Sequence, residues 1–285
     1  MRERFKRKMQ TSGVFRQLLA GPYIVWMVAF IVIPLLLIAY YGFTVKTDDG
    51  LRFSLSNLTL IANPINLKAL GLSLELSLIS TIICLILAYP IALMLRNRNV
   101  GSDSFVIMIF MLPMWMNFLL RTIAWQNILE KTGVINSLLS VFGIKPLNLI
   151  NTSGAIVFGM VYNFLPFMIL PIYNVLVKID QNVINAARDL GANAFQTFIK
   201  VILPLSVPGM ISGITMVFVP SLTTFVISSI LGGSKIVLIG NVIEQQFKFL
   251  GNWNAGSGLS LVLMIFILIS MALVSIYDKD DVKGF

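Results

Sequence analysis

Asn185-Ala186-Ala187-Arg188-Asp189-Leu190-Gly191, followed downstream by Val201-Ile202-Leu203-Pro204, is the stretch that decides the reading of this chain. It is polar and interrupted, in a sequence that is otherwise membrane-hydrophobic. Asp180 can cap a helix, because a carboxylate accepts the first free backbone N–H groups. Val183, Ala187 and Leu190 then fall at i, i+4 and i+7, which is one helical face. Gly191 stands where a left-handed residue would end that helix. Asn193 can cap a second helix, with Phe195, Phe198, Ile199 and Ile202 on one face and Pro204 closing it. The expected product is two short helices around a glycine turn, lying along a membrane surface. As an amphipathic segment it can simply rest on lipid headgroups; as a docking element it would place the energy source of this protein on another chain.

The surrounding composition supports a membrane setting. The chain has 285 residues, 57% hydrophobic and 12% charged, with a mean hydropathy of +0.89. Soluble domains carry about a quarter charged residues, and no long polar stretch here could build a separate soluble core. There is no His and one Cys, Cys84, inside an apolar run. That excludes a disulfide framework, His/Cys metal sites and His-based nucleophilic catalysis. No Gly-x4-Gly-Lys-Ser/Thr phosphate loop is present.

A spanning helix takes about 20 apolar residues. Six candidates follow: Leu18–Phe43, Leu70–Leu95, Phe105–Trp125, Ala155–Leu176, Gly209–Leu231 and Leu259–Tyr277. The net charge of +9 is spent on topology and not on nucleic acid: Arg2, Arg4, Lys6, Arg7, Lys8 and Arg16 precede the first span. Putting that end inside assigns 13 basic residues to inner segments and 8 to outer ones, as the positive-inside rule requires. Both termini are then cytoplasmic, and the loop 178–208 lies between the fourth and fifth spans. The outer loops Thr44–Lys68, Gln126–Thr152 and Gly232–Gly258 are long enough for short interfacial or re-entrant helices. Pro34, Pro90, Pro113, Pro166, Pro171 and Pro220 would bend the spans.

The loop pattern resembles the EAA signature of ABC importer permeases, Glu-Ala-Ala-x3-Gly-x9-Ile-x-Leu-Pro. Ala186, Ala187, Gly191, Leu203 and Pro204 match in register, Val201 replaces Ile, and Asn185 replaces Glu. The resemblance extends to Pro113-Met114-Trp115-Met116-Asn117-Phe118-Leu119-Leu120-Arg121 with Ala124-Trp125, to Leu231-Gly232-Gly233-Ser234-Lys235, and to Ile239-Gly240-Asn241-Val242-Ile243. Asn252-Trp253-Asn254-Ala255-Gly256 is similar to an Asp-Trp-Pro-x-Gly segment. Over nearly the whole chain the sequence looks like the first permease subunit of spermidine/putrescine importers.

The resemblance implies an all-α, polytopic membrane protein with six transmembrane helices and the type I ABC importer permease fold. Residues 1–17 would form a basic cytoplasmic end, 18–68 the first span and its loop, 69–277 a five-helix core, and 278–285 a cytoplasmic tail. It implies the bacterial plasma membrane as location, membrane lipid as surroundings, a second permease, an ATPase dimer that holds ATP and Mg, and an extracytoplasmic polyamine-binding protein. The chain itself would bind no cofactor and catalyse no reaction. The coupling loop would comprise Asn185, Ala186, Ala187, Arg188, Asp189, Gly191, Val201, Leu203 and Pro204.

A polycation crossing a membrane needs carboxylate or aromatic groups to replace its hydration. Glu75 is the only acid in the six spans and sits near the outer end of its helix, where it can contact cargo or simply reach water. Trp115 marks an interface or a binding surface. Asn117, Tyr162, Asn163, Thr223 and Thr224 can line a path or hydrogen-bond between helices. Arg121 can repel a polycation or pair with Glu130 or Glu75. The alternatives in substrate are an anion, ferric iron or an opine-like compound; an ion-coupled transporter would want more ionisable groups in its spans.

Overall fold

A computed structural model describes residues 21–47, 50–97, 108, 111–112 and 114–282. Among these, five helices are long and apolar enough to cross a membrane: α1 (Gly21–Gly42), α2 (Pro64–Asn97), α5 (Ser153–Lys178), α7 (Ala194–Thr223) and α10 (Trp253–Val282). Between them lie α3 (Phe118–Leu129), α4 (Val134–Val141), α6 (Gln181–Asp189), α8 (Val226–Leu231) and α9 (Ile239–Lys248). The basic N-terminus to residue 20 and most of the first half of the expected third span lie outside the described residues.

The all-α class stands, with one small addition: β1 (Thr44–Thr47) and β2 (Gly50–Phe53) form an antiparallel hairpin, with Thr44 opposite Phe53 and Thr47 opposite Gly50. Two expected spans need correction. The expected span Phe105–Trp125 is not one helix. It breaks at Met116–Asn117, and α3 restarts because the Asn117 side chain accepts the N–H groups of Leu119 (2.9 Å) and Leu120 (3.2 Å). Nor is Gly209–Leu231 one span. Helix α7 begins upstream at Ala194 and stops at Thr223, Thr224 turns extended (ψ 136°), and α8 follows.

The upstream start of α7 has a physical cause. Pro204 does not close a short helix, because residues Phe198–Ile202 widen into a π turn in which the Leu203 N–H reaches the Phe198 carbonyl. In a regular helix the ring of Pro204 would press on the carbonyl four residues back, at Lys200. The wider turn relieves that contact and lets the helix run on. The same device precedes Pro34 in α1, where the Ile33 N–H bonds to the Val28 carbonyl across the π segment Val28–Val32.

The chain divides into two compact units. In the unit formed by Met1–Ile61 and Gln246–Met264, side-chain amides fasten the end of α1. Asn57 Nδ2 donates to the Thr44 carbonyl (2.9 Å) and the Gly42 carbonyl (3.3 Å). Asn254 Nδ2 donates to the same Thr44 carbonyl (2.6 Å) and to that of Tyr41 (3.1 Å). Carbonyls at a helix end are short of intrahelical partners, and these amides supply further donors.

In the unit formed by Ala62–Gln245 and Ile265–Phe285, helices α2, α5 and α7 pack on one another around Cys84, Ala88, Ala92, Met160, Met168 and Ile172. Helix α2 wears its small residues inward. Ser73, Ser77, Ser80, Thr81, Cys84, Ala88 and Ala92 are buried, while Leu78, Ile82, Ile86 and Leu87 face out. This inversion belongs to a helix in lipid, where large apolar side chains lose nothing by facing outward and small ones let backbones approach. The buried hydroxyls of Ser73, Ser80 and Thr81 donate to carbonyls four residues back, so none needs water. Helix α7 approaches α5 along Gly209-x3-Gly213. A Cβ on Gly209 would stand 2.9 Å from the Pro171 carbonyl, and one on Gly213 2.6 Å from Met168 Sδ.

Candidate functional site

The segment 180–206 is built by local hydrogen bonds that the residue types dictate. Asp180 Oδ1 accepts the Asn182 N–H at 2.9 Å and starts α6. The helix ends in a Schellman arrangement: the Ala192 N–H bonds to the Ala187 carbonyl (3.1 Å) and the Gly191 N–H to that of Arg188 (2.9 Å). Gly191 is left-handed (φ +84°), and a Cβ there would meet nothing within 4 Å. Its constraint is therefore the backbone and not space. Asn193 and Gln196 then form a reciprocal capping box, with the Gln196 N–H on Asn193 Oδ1 (2.8 Å) and the Asn193 N–H on Gln196 Oε1 (3.0 Å). Asn185, which stands where the signature has Glu, is exposed and accepts from Gln181 Nε2 at 3.3 Å.

The apolar residues of this segment divide between two surfaces. Ile184 is buried against the chain; Val183 and Leu190 are not, and Leu190 is 90% exposed. The expected face Val183–Ala187–Leu190 thus points away from this chain, with Ala187 half-buried at its edge. Likewise Phe195 (72% exposed) and Ile199 face out, whereas Phe198, Ile202 and Leu203 pack on the helix core. Ala186, Arg188, Asp189 and Pro204 are exposed, and Val201 is half-buried.

The inner face is anchored to α2. The Phe198 ring stands edge-on to Tyr89, centroids 5.6 Å apart. Tyr89 Oη and Ser206 Oγ are 2.7 Å apart and buried. Ser206 spends its proton on the Leu203 carbonyl (2.8 Å), so Tyr89 is the donor between them. Arg96, at the end of α2, donates to the Ile179 carbonyl (3.3 Å) where α5 gives way to α6.

The other candidate residues are not gathered on one surface. Glu75 is exposed on α2, and it is the one carboxylate within the apolar stretches of the five described spans. Trp115 is exposed beside the break before α3. Asn117 has its side chain engaged as the cap of α3. Tyr162 is half-buried, edge-on to Trp125 (5.0 Å), with the Arg121 guanidinium 5.7 Å from its ring centre. Arg121 is thus seated on an aromatic face. Asn163 is buried; its Nδ2 donates to the Gly159 carbonyl (2.7 Å), and its Oδ1 has no hydrogen-bond partner. Thr223 bonds back to the Val219 carbonyl (3.1 Å), and Thr224 is buried at the break between α7 and α8.

That break has an organiser the sequence reading passed over. Asn241 Oδ1 accepts from Ser228 Oγ (2.6 Å) and the Leu238 N–H (3.1 Å), and its Nδ2 donates to the Phe225 carbonyl (3.1 Å) and Ser229 Oγ (2.7 Å). All four capacities of one buried amide are used. Neighbouring Gly240 lies so close that a Cβ would stand 2.7 Å from the Thr223 carbonyl. Ser73 Oγ accepts the Ile239 N–H (2.8 Å) at the start of α9. A Gly-Asn pair inside an apolar stretch was the available signal. Among the described residues no group of three or more acidic, Cys or His side chains could hold a metal.

Residues 77–280 match the model of the binding-protein-dependent transport system inner membrane component. The chain belongs to that family. This permease is 39% identical over 247 residues to the spermidine/putrescine transport system permease protein PotB of Haemophilus influenzae, covering 84% of this chain and 86% of the relative. It is 36% identical over 245 residues to PotB of Escherichia coli, covering 84% and 89%. It is also 31% identical over 277 residues to the inner membrane ABC transporter permease YdcU of Escherichia coli, covering 90% and 87%. Its fold matches a chain of a bacterial ABC transporter that imports alginate, with a TM-score of 0.79, 16% identity, and coverage of 97% and 99%. A second structure of an alginate transporter, in complex with its pentasaccharide-bound periplasmic protein, matches with a TM-score of 0.75 and 15% identity, covering 94% of each chain. The permease therefore has the fold of the ABC importer permeases and is a transport subunit of the inner membrane.

Proposed function

We propose that this permease carries polyamines of the spermidine/putrescine class into the cytoplasm, driven by an ATPase that docks on the segment 181–204. The observation that carries the drive is the exposed apolar set Leu190, Phe195, Val183 and Ile199, presented by two capped helices whose opposite face is fixed to the core. Large apolar residues held rigidly outward beside a polar helix fit a protein partner better than water. Asn185, Arg188 and Asp189 supply the polar rim of that contact. Similarity to the polyamine permeases supports the cargo.

On this reading both chain ends and the segment 178–208 are cytoplasmic. ATP and Mg sit on the ATPase dimer, so this chain hydrolyses nothing and binds no cofactor. A second permease completes the path, and an extracytoplasmic polyamine-binding protein delivers the cargo. Glu75, exposed on the outer half of α2, faces the path, where a carboxylate can replace part of the hydration of an ammonium group. Trp115, Asn117, Tyr162, Asn163, Thr223 and Thr224 are the remaining candidates. Asn117 acts there through helix geometry, because its Oδ1 caps α3, whereas Asn163 has only its Nδ2 engaged with backbone.

Uptake of labelled spermidine into cells carrying the whole transporter, with unlabelled solutes as competitors, tests the cargo. Spermidine and putrescine should compete at low concentration. Competition by an anion, a ferric chelate or an opine and not by polyamines would sink the assignment.

A further inference from the structure

Helix α4 presents an apolar face that nothing among the described residues covers. Val134 (59% exposed), Leu138 (59%), Val141 (80%) and Phe142 (78%) recur at i, i+4, i+7 and i+8. That spacing makes one stripe. The opposite side is pinned down. Asn136 is buried, its Nδ2 donates to the Glu130 and Leu147 carbonyls (3.0 Å each), and its Oδ1 accepts the Leu147 N–H (2.8 Å). These bonds tie α4 on one side to the residue that follows α3, and on the other to a residue six positions before α5. Helix α5 is a membrane span beginning at Ser153, so α4 is held beside the membrane surface on which α5 starts. No charge lies within α4 itself. Lys131 and Lys145, both exposed, stand just before and just after it, while the nearby Glu130 is half-buried.

We propose that α4 is an interfacial anchor whose stripe lies among the lipid acyl chains while Lys131 and Lys145 engage anionic phospholipid headgroups. A short helix with one apolar face and flanking lysines has this preference on physical grounds: burial draws the face in, and basic residues near an anionic surface add attraction. The flanking lysines, together with the tie through Leu147 to the approach of span α5, favour the bilayer over a second protein. The anchor fixes how deep the α3–α5 connection sits, and through Asn136 it fixes the start of α5. On the topology proposed above this is the outer face of the membrane; the anchor does not depend on the identity of the cargo.

A nitroxide on Val141→Cys tests this in the full-length chain, purified with the subunits that accompany it and placed in nanodiscs. Cys84 is buried and stays out of the labelling. In phosphatidylglycerol-containing discs the label should be reached by oxygen and shielded from a water-soluble nickel chelate. The shielding should weaken in phosphatidylcholine discs and in the Lys131→Gln/Lys145→Gln variant. A label open to the chelate in both lipids would overturn the proposal, as would one immobilised and shielded from both reagents, which marks cover by protein. Shielding indifferent to lipid charge and to the two lysines would overturn the headgroup assignment.

Discussion

Tyr89 and Ser206 are 117 positions apart, yet their hydroxyl oxygens lie 2.7 Å from each other in a buried site. Tyr89 belongs to α2 and Ser206 to α7, just past the π turn that follows the exposed Phe195. Tyr89 also holds the Phe198 ring edge-on. The outward face of the 181–204 segment is therefore connected to the helix core through one tyrosine. On the proposed docking, a push on Leu190 or Phe195 would be delivered to α2 and α7 together.

Removing that bond should loosen the connection without unfolding the protein. Interhelical hydrogen bonds in membranes are worth about 0.6 kcal/mol on average. Tyr89→Phe and Ser206→Ala should each lower stability by roughly that amount, and the double variant should add little to either. Thermal unfolding in detergent reads the cycle. Full additivity of the two substitutions would show that the hydroxyls do not interact.

The glycine turn should respond to backbone preference and not to side-chain size. At φ +84° an ordinary L residue costs about 1–2 kcal/mol, and Asn less. Since a Cβ there meets nothing within 4 Å, Gly191→Asn should keep most uptake while Gly191→Val loses most of it. Gly191→Ala falls between them. Equal loss in all three would mean that the partner needs the open space and not the turn.

Much of this segment was legible in the residues. Asp180, Gly191 and Asn193 are capping residues whose chemistry acts within a few positions, and each does so in the structure. What escaped were effects that need a third dimension. Whether Val183 or Ile184 turns inward depends on how the helix is laid on its neighbours, and periodicity leaves both available. Pro204 read as a stop because a proline ends a regular helix; the π turn upstream removes the reason. The break at Thr224–Phe225 lies among small hydroxyl residues that a membrane helix also tolerates, and its partner Asn241 is more than a dozen residues away. Among the path candidates, Asn117 Oδ1 and Asn163 Nδ2 bond to backbone of their own helices, a local engagement that the residue types alone do not reveal.

Charge placed on the outward face should separate docking from folding. Leu190→Asp or Phe195→Asp removes apolar contact that this chain never used, so the permease should reach the membrane in normal amounts. A buried aspartate without a partner is strongly unfavourable at an interface. Co-purification of the ATPase should fall by tenfold or more, on the order of 1.4 kcal/mol or above. Undiminished co-purification would move the docking surface elsewhere.

The Gly209-x3-Gly213 contact predicts an order of severity. At Gly209 a methyl group meets the Pro171 backbone carbonyl at 2.9 Å and Val175 at 3.0 Å, so a helix must move. At Gly213 the nearest atom is Met168 Sδ at 2.6 Å, the flexible part of a side chain, and a methionine can turn aside. Gly209→Ala should therefore destabilise more than Gly213→Ala, the first by roughly 1–3 kcal/mol, as overpacking does. Met168→Ala should relieve Gly213→Ala and leave Gly209→Ala unchanged. The reverse order in detergent melting temperatures would mean that α7 crosses α5 differently.

Asn241 should prove the most sensitive polar residue in the helix core. Its amide satisfies the Ser228 hydroxyl, the Leu238 N–H, the Phe225 carbonyl and the Ser229 hydroxyl at once. Asn241→Leu keeps the approximate volume and strands the Leu238 N–H, while the Phe225 carbonyl keeps the Ser229 N–H (2.9 Å) and the Ser228 hydroxyl (3.0 Å). Each unsatisfied buried group costs about 1–3 kcal/mol, so this variant should accumulate poorly or unfold readily. Asn241→Asp is the sharper probe. It keeps the acceptor for Ser228 and Leu238 but brings a charge and two acceptors to face the Phe225 carbonyl. It should damage the junction between α7 and α8 specifically. Cysteine cross-linking or hydrogen exchange across Thr224–Phe225 would then report opening there while the α2–α5–α7 packing around Met168 and Ile172 stays protected. Uniform loss of protection in both places would show that the break and the core unfold as one, and that Asn241 has no separate hold on the discontinuous helix.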